Sequence, residues 1–251
     1  MRKVDLNADV GESFGAWKLG ADGTLLSVVT SANIACGFHA GDPSVMEATV
    51  RQAVAHGVAV GAHPGYPDLA GFGRRAMEIP VDEVVSIVLY QIGALNALAR
   101  AHDAKLSHVK PHGALYNDAA KDESLAAAVA TAIARFDRGL TFVGLAGSAM
   151  KDAARNAGLR FAGEAFCDRV YRGDGTLAPR AEGGAMQLDP DAAARQATDI
   201  VVRRKVSTAS GEEIDVEADT LCIHGDTAQA PAIACAVREA LLRAHVAIVA
   251  L

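Results

Sequence analysis

Residues 3–12 read KVDLNADVGE, and polar and apolar side chains alternate along this stretch. The polar residues Asp5, Asn7 and Asp9 share one parity, so in a strand they lie on one face of the sheet. Parallel α/β sheets are normally covered by helices on both faces, so an edge strand with one solvated face fits this pattern poorly. The lumen of a closed barrel fits it better.

A second stretch, SHVKPH at residues 107–112, repeats the alternation. His108, Lys110 and His112 share one parity, and the residues between them do not carry charge. We therefore expect the two polar stripes to face one shared cavity inside a barrel.

The rest of the chain alternates short β-branched runs with longer amphipathic segments, which is typical of βα units. Strands are predicted at 3–9, 31–36, 58–63, 106–111, 141–146, 160–166, 220–224 and 246–250. Helices are predicted at 81–101, 122–136, 148–157, 190–205 and 229–244, and Asp-Pro pairs at 42–43 and 189–190 mark helix starts. Seven or eight strands fit a closed barrel or an open doubly wound sheet, and the polar stripes favour a barrel formed by one domain, residues 1–251.

Composition excludes several functions. The chain has 251 residues, 51% of them hydrophobic, and a net charge of −6, which disfavours nucleic acid as a partner. No run of about 18 apolar residues and no hydrophobic N-terminal stretch is present, so we expect no membrane span and no signal peptide. The four scattered cysteines predict reduced thiols, and with them a soluble, cytoplasmic protein.

The histidines suggest where the chemistry lies. Three of the eight fall near predicted helix ends and are interpreted as structural: His56, His102 and His245. The other five lie within or just after predicted strands, where barrel enzymes build their active sites: His39, His63, His108, His112 and His224. Several carboxylates accompany them: Asp9, Glu12, Asp42, Glu164, Asp168 and Asp226.

Asp9, His63 and His112 come from three predicted strand ends. They can supply two histidines and one carboxylate to an open divalent-metal site that activates water. Because no short H-x-x-x-H motif holds them together, a hydrogen-bonded acid/base cluster without metal remains the alternative.

Basic residues provide candidate anion sites. Arg74 and Arg75 follow the glycine-rich loop GYPDLAGFG, and a guanidinium there can bind a carboxylate or phosphate. Lys110 in the presumed lumen needs an anionic partner. No Walker or dinucleotide-binding glycine motif is present, so a nucleotide would need another binding device. Residues 164–189 lack helical periodicity, which is typical of a functional lid or binding loop.

Six segments of the sequence resemble the LamB/YcsF family. They are DLNADVGE at 5–12, NIACGFHAGDP at 33–43, GAHPGYPDLAGFGRR at 61–75, VKPHGALYN at 109–117, EAFCDRVYRGDGTLAPR at 164–180 and IHGD at 223–226. The resemblance implies a distorted TIM-like (β/α) barrel of about seven strands, similar to glycoside hydrolases and deacetylases. Ala8 and Val10 stand where many members have Cys and Leu, and both are small apolar changes.

The resemblance also implies an activity, the ATP-dependent opening of the lactam of 5-oxoproline to glutamate, with 5-oxoprolinase subunits B and C as partners. Catalytic groups would then be Asp9, His63, His112, His39 and Glu164, with ATP and a divalent metal as cofactors. Groups for substrate or phosphate would be Asn7, Arg74, Arg75, Lys110, Arg180 and His224. Two other classes stay open: a metal-dependent deacetylase or carbohydrate hydrolase, and a non-catalytic subunit that holds substrate.

Overall fold

A computed structural model describes residues 2–180 and 182–251 and contains ten strands in this part of the chain. In chain order they are β1 Lys3–Val10, β2 Ser31–Ala35, β3 Ala59–His63, β4 Leu106–Val109, β5 Thr141–Leu145, β6 Arg160–Phe166, β7 Lys205–Ser207, β8 Glu213–Asp215, β9 Thr220–His224 and β10 Ala247–Ile248. All eight predicted strands are present. The antiparallel hairpin of β7 and β8 was not predicted, because its strands are only three residues long.

Seven of these strands close into a parallel barrel. The order is β1, β2, β3, β4, β5, β6 and β9, and β9 pairs with β1 to complete the circle. The open-sheet alternative is therefore wrong, and the predicted TIM-like barrel of about seven strands is confirmed. The last predicted strand, β10, pairs only with Lys3 and Val4 at the start of β1, so it extends the sheet beside the barrel.

Eight α-helices accompany the barrel in the described residues. They are α1 Asp22–Leu26, α2 Pro43–Ala55, α3 Val81–Ala101, α4 Gly113–Ala119, α5 Glu123–Phe136, α6 Ala149–Asn156, α7 Pro190–Thr198 and α8 Ala230–Arg243. Asp42 and Asp189 cap α2 and α7 as predicted, since each side chain accepts hydrogen bonds from two backbone N–H groups of the first turn. The predicted helix 190–205 changes to a π-helical turn after residue 198. α4 was not predicted, because its seven residues are too few to show periodicity.

The helix α3 is long and apolar enough to cross a membrane by length and composition alone. Its apolar face is instead buried in the protein, with Val84, Val88, Ile92 and Leu95 nearly inaccessible to solvent. This side packs mainly against α5. The hydropathy of α3 therefore reflects its place in the core, as for other amphipathic helices on a barrel.

The barrel lumen is polar. Asp5, Asn7 and Asp9 are at most 4% exposed and project into it, whereas the alternate residues of β1 pack into the hydrophobic core. The Asp5 carboxylate accepts hydrogen bonds from the hydroxyls of Ser31 and Thr220, at 2.6 and 2.5 Å. Buried polar groups are tolerated only when they are paired in this way.

The second predicted stripe enters the same lumen. His108 Nε2 lies 2.8 Å from Asn33 Oδ1, and Asn33 Nδ2 donates to Asn7 Oδ1 at 2.6 Å. Lys110 Nζ donates to Asp9 Oδ1 at 2.8 Å. The two stripes therefore meet inside the barrel, as expected.

The aperiodic segment 167–189 folds over the open end of the barrel. It is held by backbone bridges from Arg169 to Met186 and from Tyr171 to Leu177. The Tyr171 side chain is buried, and its hydroxyl accepts a hydrogen bond from Phe166 N at 2.8 Å. The segment is thus anchored to the end of β6, and several of its residues line the cavity described below.

Close packing of β3 against His108 predicts the effect of a single methyl group. A Cβ on Gly61 would overlap the His108 imidazole. We expect Gly61→Ala to lower the free energy of unfolding by about 2 to 3 kcal/mol, because overpacking a filled interior forces backbone and side-chain shifts. Urea denaturation measures this change.

The matched control is Gly93→Ala in α3, where an added Cβ meets no atom within 4 Å. Alanine favours a helix over glycine, so this variant should gain up to about 1 kcal/mol. Equal stability of the two variants would contradict the packing described for β3.

Candidate functional site

A cavity of about 460 Å³ opens at the carboxyl ends of the barrel strands. This is where (β/α)-barrel enzymes place their active sites. Its lining includes Asp9, His63, Arg74, Lys110, His112, Arg180 and His224 from the predicted set. Asn7, His39 and Glu164 are buried behind that lining, each in contact with a lining residue.

Lys110 is the central cation of the cavity floor. Its side chain is 3% exposed, and Nζ lies 2.8 Å from Asp9 Oδ1, 2.9 Å from Glu164 Oε1 and 3.0 Å from Cys222 Sγ. Burial alone would lower the pKa of Lys110, but Asp9, Cys222 and Glu164 raise it well above its usual value. Lys110 therefore stays charged.

Asp9 complements this charge. Burial would raise the pKa of Asp9, but His63 and Lys110 hold it well below its usual value. Its Oδ1 also accepts a hydrogen bond from Asn33 Nδ2 at 2.8 Å, and its Oδ2 lies 3.4 Å from His63 Nε2. Asp9 is thus an ionised carboxylate that connects the buried lysine to the histidines.

Three histidine rings meet beside Asp9. His63 Nδ1 lies 2.7 Å from the Lys110 carbonyl oxygen, and His63 Nε2 lies 3.0 Å from His112 Nδ1. The His39 ring stacks on His112 with centroids 3.7 Å apart, and neither of its nitrogens has a hydrogen-bond partner in the protein. Burial, together with neighbouring imidazoles, lowers the pKa of His39 and of His112 well below the usual value.

Glu12 completes this group. Its Oε1 lies 3.7 Å from His112 Nδ1 and 3.9 Å from His39 Nε2. The ligand atoms of Glu12, His39, His63 and His112 all lie within 4.8 Å of one another, which is close enough to hold one metal ion. Burial and the nearby charges of Asp9 and Asp226 raise the pKa of Glu12 well above its usual value.

The donor set therefore differs from the predicted Asp9, His63 and His112. Asp9 belongs to a separate group with Cys222 and His224, and there the Lys110 ammonium already contacts two of the three members. The side chain of Asp9 is directed by this cation, a contact that spacing along the chain does not reveal.

A basic wall faces the floor. Asp226 joins Arg74, at 2.5 Å, to Arg180, at 3.0 Å, across the cavity mouth. Arg169 lies beside them and is 5% exposed, and its Nη2 donates to the Ala178 carbonyl. Burial and the charge of Arg180 lower the pKa of Arg169 to about 10, against the opposing effect of Asp168.

His224 is oriented by the end of β6. Its backbone N–H donates to Asp168 Oδ2 at 2.9 Å, and its Nδ1 lies 3.0 Å from Asp168 Oδ1. The ring stacks on Phe166 with centroids 5.4 Å apart. His224 is thereby held rigidly at the edge of the cavity.

Arg75 is a correction to the predicted site. Its guanidinium pairs with Asp68, its side chain is 68% exposed, and it does not line the cavity. Asp68 also caps the 3-10 turn Leu69–Gly71 by accepting from Gly71 N. The local cap claims Arg75, so only Arg74 of the pair reaches the site.

Several residues of the site were not assigned from the sequence: Glu12 as a donor, Asn33, Cys222 and Arg169. Asn33 and Cys222 lie on strands at the parity of other lumen residues, so the alternation that revealed Asp9 could have found them. Arg169 lies in an aperiodic segment, where no pattern indicates which side chain turns inward.

The buried His108 predicts a pH dependence of stability. Burial, with Lys110 and His63, lowers its pKa to about 3. Since a histidine in the unfolded chain has a pKa of about 6.5, its contribution to stability is present above that pH and is lost progressively below it. We expect His108→Gln to flatten the dependence of unfolding free energy on pH by about 1.4 kcal/mol per unit between roughly pH 6 and pH 4.

Urea denaturation of both proteins across this range provides the measurement. From about pH 7 to pH 8 the two curves should run parallel, because His108 is then neutral in both states. Identical slopes in the acidic range would show that this histidine is protonated in the folded protein.

Comparison with known proteins extends over the whole site. The sequence profile of the LamB/YcsF family matches residues 4–251. The chain is 52% identical over 251 residues to the A subunit of 5-oxoprolinase from Tolumonas auensis, covering 100% of both chains. It is 54% identical over 245 residues to the corresponding A subunit from Bordetella pertussis, covering 98% of this chain and 97% of that one.

Solved structures agree. The lactam utilization protein from Thermus thermophilus superposes with a TM-score of 0.93 at 53% identity, over 99% of this chain and 100% of that one. A deacetylase solved with its substrate is more distant, with a TM-score of 0.51 at 12% identity over 99% of this chain and 87% of that one, and it shares the fold alone. Since the family profile and full-length relatives agree with the barrel and its polar lumen, the chain belongs to the LamB/YcsF family.

Proposed function

We propose that the chain is the A subunit of an ATP-dependent 5-oxoprolinase, which hydrolyses the lactam of 5-oxoproline to glutamate. Its full-length relatives of about half-identical sequence carry that name. The single observation that supports the assignment in the structure is a cavity with opposite charges on its two sides. Asp9, Lys110 and Glu164 form the floor, and Arg74, Arg169 and Arg180 form the wall.

The substrate has two parts that match this division. A five-membered lactam is an unreactive amide, so hydrolysis needs activation, and transfer of the γ-phosphoryl group of ATP to the lactam oxygen releases ADP and provides it. Water then adds to the ring carbon and gives up a proton to a base, and the ring nitrogen takes up a proton as its bond to carbon breaks. Hydrolysis of the resulting acyl phosphate yields glutamate and phosphate.

His63 and Asp9 are suited to the role of base. If His63 donates its Nδ1 proton to the Lys110 carbonyl, its Nε2 keeps a lone pair towards Asp9 and His112. A base within hydrogen-bond reach of water contributes about 10²- to 10⁴-fold to such a step. Glu164 and Asn7 act behind them by holding Lys110 and Asp9 in position.

The basic wall is suited to the substrate carboxylate. The Nε of Arg169 and the Nη2 of Arg180 are buried donors without a partner in the protein. Unpaired buried donors are costly, and a carboxylate satisfies two of them at once. Binding the carboxylate there would direct the lactam towards the acidic floor.

ATP has no glycine-rich phosphate loop to occupy in the 251 residues. Lys121, Arg172 and Arg180 line the cavity and could contact phosphates, so the chain supplies positive charge without a nucleotide fold of its own. We infer that subunits B and C complete the nucleotide site at the cavity mouth. An ATP-dependent reaction also agrees with the predicted cytoplasmic location.

The metal-dependent deacetylase remains the second candidate, because Glu12, His39, His63 and His112 bring four donor atoms together. That activity would need neither ATP nor partner subunits. Release of acetate from acetylated sugars by the isolated chain would favour it.

Reconstitution tests the main proposal. The isolated chain should turn over 5-oxoproline poorly, and addition of subunits B and C with ATP should produce glutamate. In the complex, His63→Ala and His112→Ala should each lower glutamate release by about 10²- to 10⁴-fold, because each removes a group next to the reacting water. Glutamate is measured enzymatically.

His102→Ala is the matched control, since His102 lies at the end of α3 and contacts only the exposed Glu47. It should keep full activity. Full activity of the His63 and His112 variants would instead mean that this barrel only holds substrate for its partners.

The basic wall makes a separate prediction. Arg180→Lys and Arg169→Lys should raise the KM for 5-oxoproline about 10- to 100-fold with little change in kcat, because lysine cannot reproduce the bidentate contact to a carboxylate. Arg155→Lys, in an exposed pair with Asp152, is the control. A fall in kcat at unchanged KM would assign these arginines to the transition state instead.

A further inference from the structure

His63 and His112 face each other in an arrangement that neutral imidazoles alone do not explain. His63 Nδ1 lies 2.7 Å from the Lys110 carbonyl, and His112 Nε2 lies 2.9 Å from the Phe72 carbonyl. A carbonyl only accepts hydrogen bonds, so each of these nitrogens carries its proton. The remaining nitrogens, His63 Nε2 and His112 Nδ1, then face each other at 3.0 Å with one lone pair each.

Two lone pairs at this distance repel unless a cation lies between them. A shared proton would satisfy this pair alone. It would leave both nitrogens of His39 without a partner, although that ring is fully buried. It would also leave Glu12 Oε1 at 3.7 Å from His112 and 3.9 Å from His39, beyond hydrogen-bond distance.

We propose that Glu12, His39, His63 and His112 bind one divalent transition-metal ion, with Zn²⁺ as the test case. Two donors about 2.1 Å from one ion are separated by about 3 to 4 Å, which matches the distances in this group. Three imidazoles and one carboxylate are ligands that zinc accepts. One ion therefore satisfies four donors that otherwise remain unpaired or in conflict.

The surroundings support these residues as ligands. The carbonyls of Lys110 and Phe72 fix the tautomers of His63 and His112, as second contacts usually do for metal-binding histidines. Gly65 and Gly73 approach the His39 ring so closely that a Cβ at either position would crowd it. His39 is thus held in place by backbone and not by hydrogen bonds.

The position of the ion also follows. Glu12, His63 and His112 line the cavity, and His39 lies behind them. An ion held there has a path of entry from solvent and is next to the proposed lactam subsite. This assignment rests on the geometry of the four side chains and not on the proposed 5-oxoprolinase activity.

Metal content of the isolated full chain tests the inference. After chelation, incubation with Zn²⁺ and gel filtration, we expect about one zinc per chain by mass spectrometry. Co²⁺ in its place should give visible ligand-field bands. At a hundredfold excess over Kd, zinc should raise Tm by about 5 to 10 °C.

Substitutions locate the ion. His39→Ala, His112→Ala and Glu12→Gln should each weaken zinc binding about 100-fold or more, and His102→Ala should bind like the wild type. Circular dichroism of the metal-free variants shows whether each is folded, and Glu12→Gln, nearly identical in shape, decides the matter if an alanine variant is not. Less than about one tenth of an equivalent in the wild type, or unchanged binding in folded Glu12→Gln and His112→Ala, would overturn the assignment.

The outcome is independent of the proposed function. A metal-free chain that releases glutamate with its partners would overturn only the metal site. A chain that binds one zinc but produces no glutamate in the complex would overturn only the 5-oxoprolinase assignment.

Discussion

A buried ammonium constrains the rest of this structure. Lys110 lies in the barrel lumen, where an unpaired charge would cost several kcal/mol, so it must be surrounded by acceptors. Asp9 and Glu164 reach it from β1 and β6, on opposite sides of the strand that leads to it. Their positions then determine where the histidines and the cavity lie.

This constraint separates the two sides of the cavity. The floor is fixed by interior contacts and presents a carboxylate next to neutral imidazoles. The wall is formed by guanidinium groups from the loop after β3 and from the aperiodic segment, joined by Asp226. A rigid floor can hold reacting groups in place, whereas the wall is built from segments that vary more easily between relatives.

Sequence reasoning succeeded where the physical signal was periodic. The alternation in residues 3–9 and 107–112 was enough to identify the lumen, because strand parity leaves no freedom of side. It failed where competition between contacts decides the outcome. Arg75 is taken by the cap at Asp68, and Asp9 is drawn to Lys110 and away from the metal donors. Such choices depend on residues about a hundred positions apart or on loop geometry, and neither leaves a pattern in the sequence.

The pairing of β1 with β9 has a consequence for how the chain reaches this structure. Residues 5–9 find their final partners only at residues 220–224, so the barrel cannot close during synthesis until most of the chain has left the ribosome. Until then one edge of β1 is unpaired and Asp5 remains in water. Loop closure over such a separation slows folding, and a nascent or truncated chain exposes strand edges that invite aggregation.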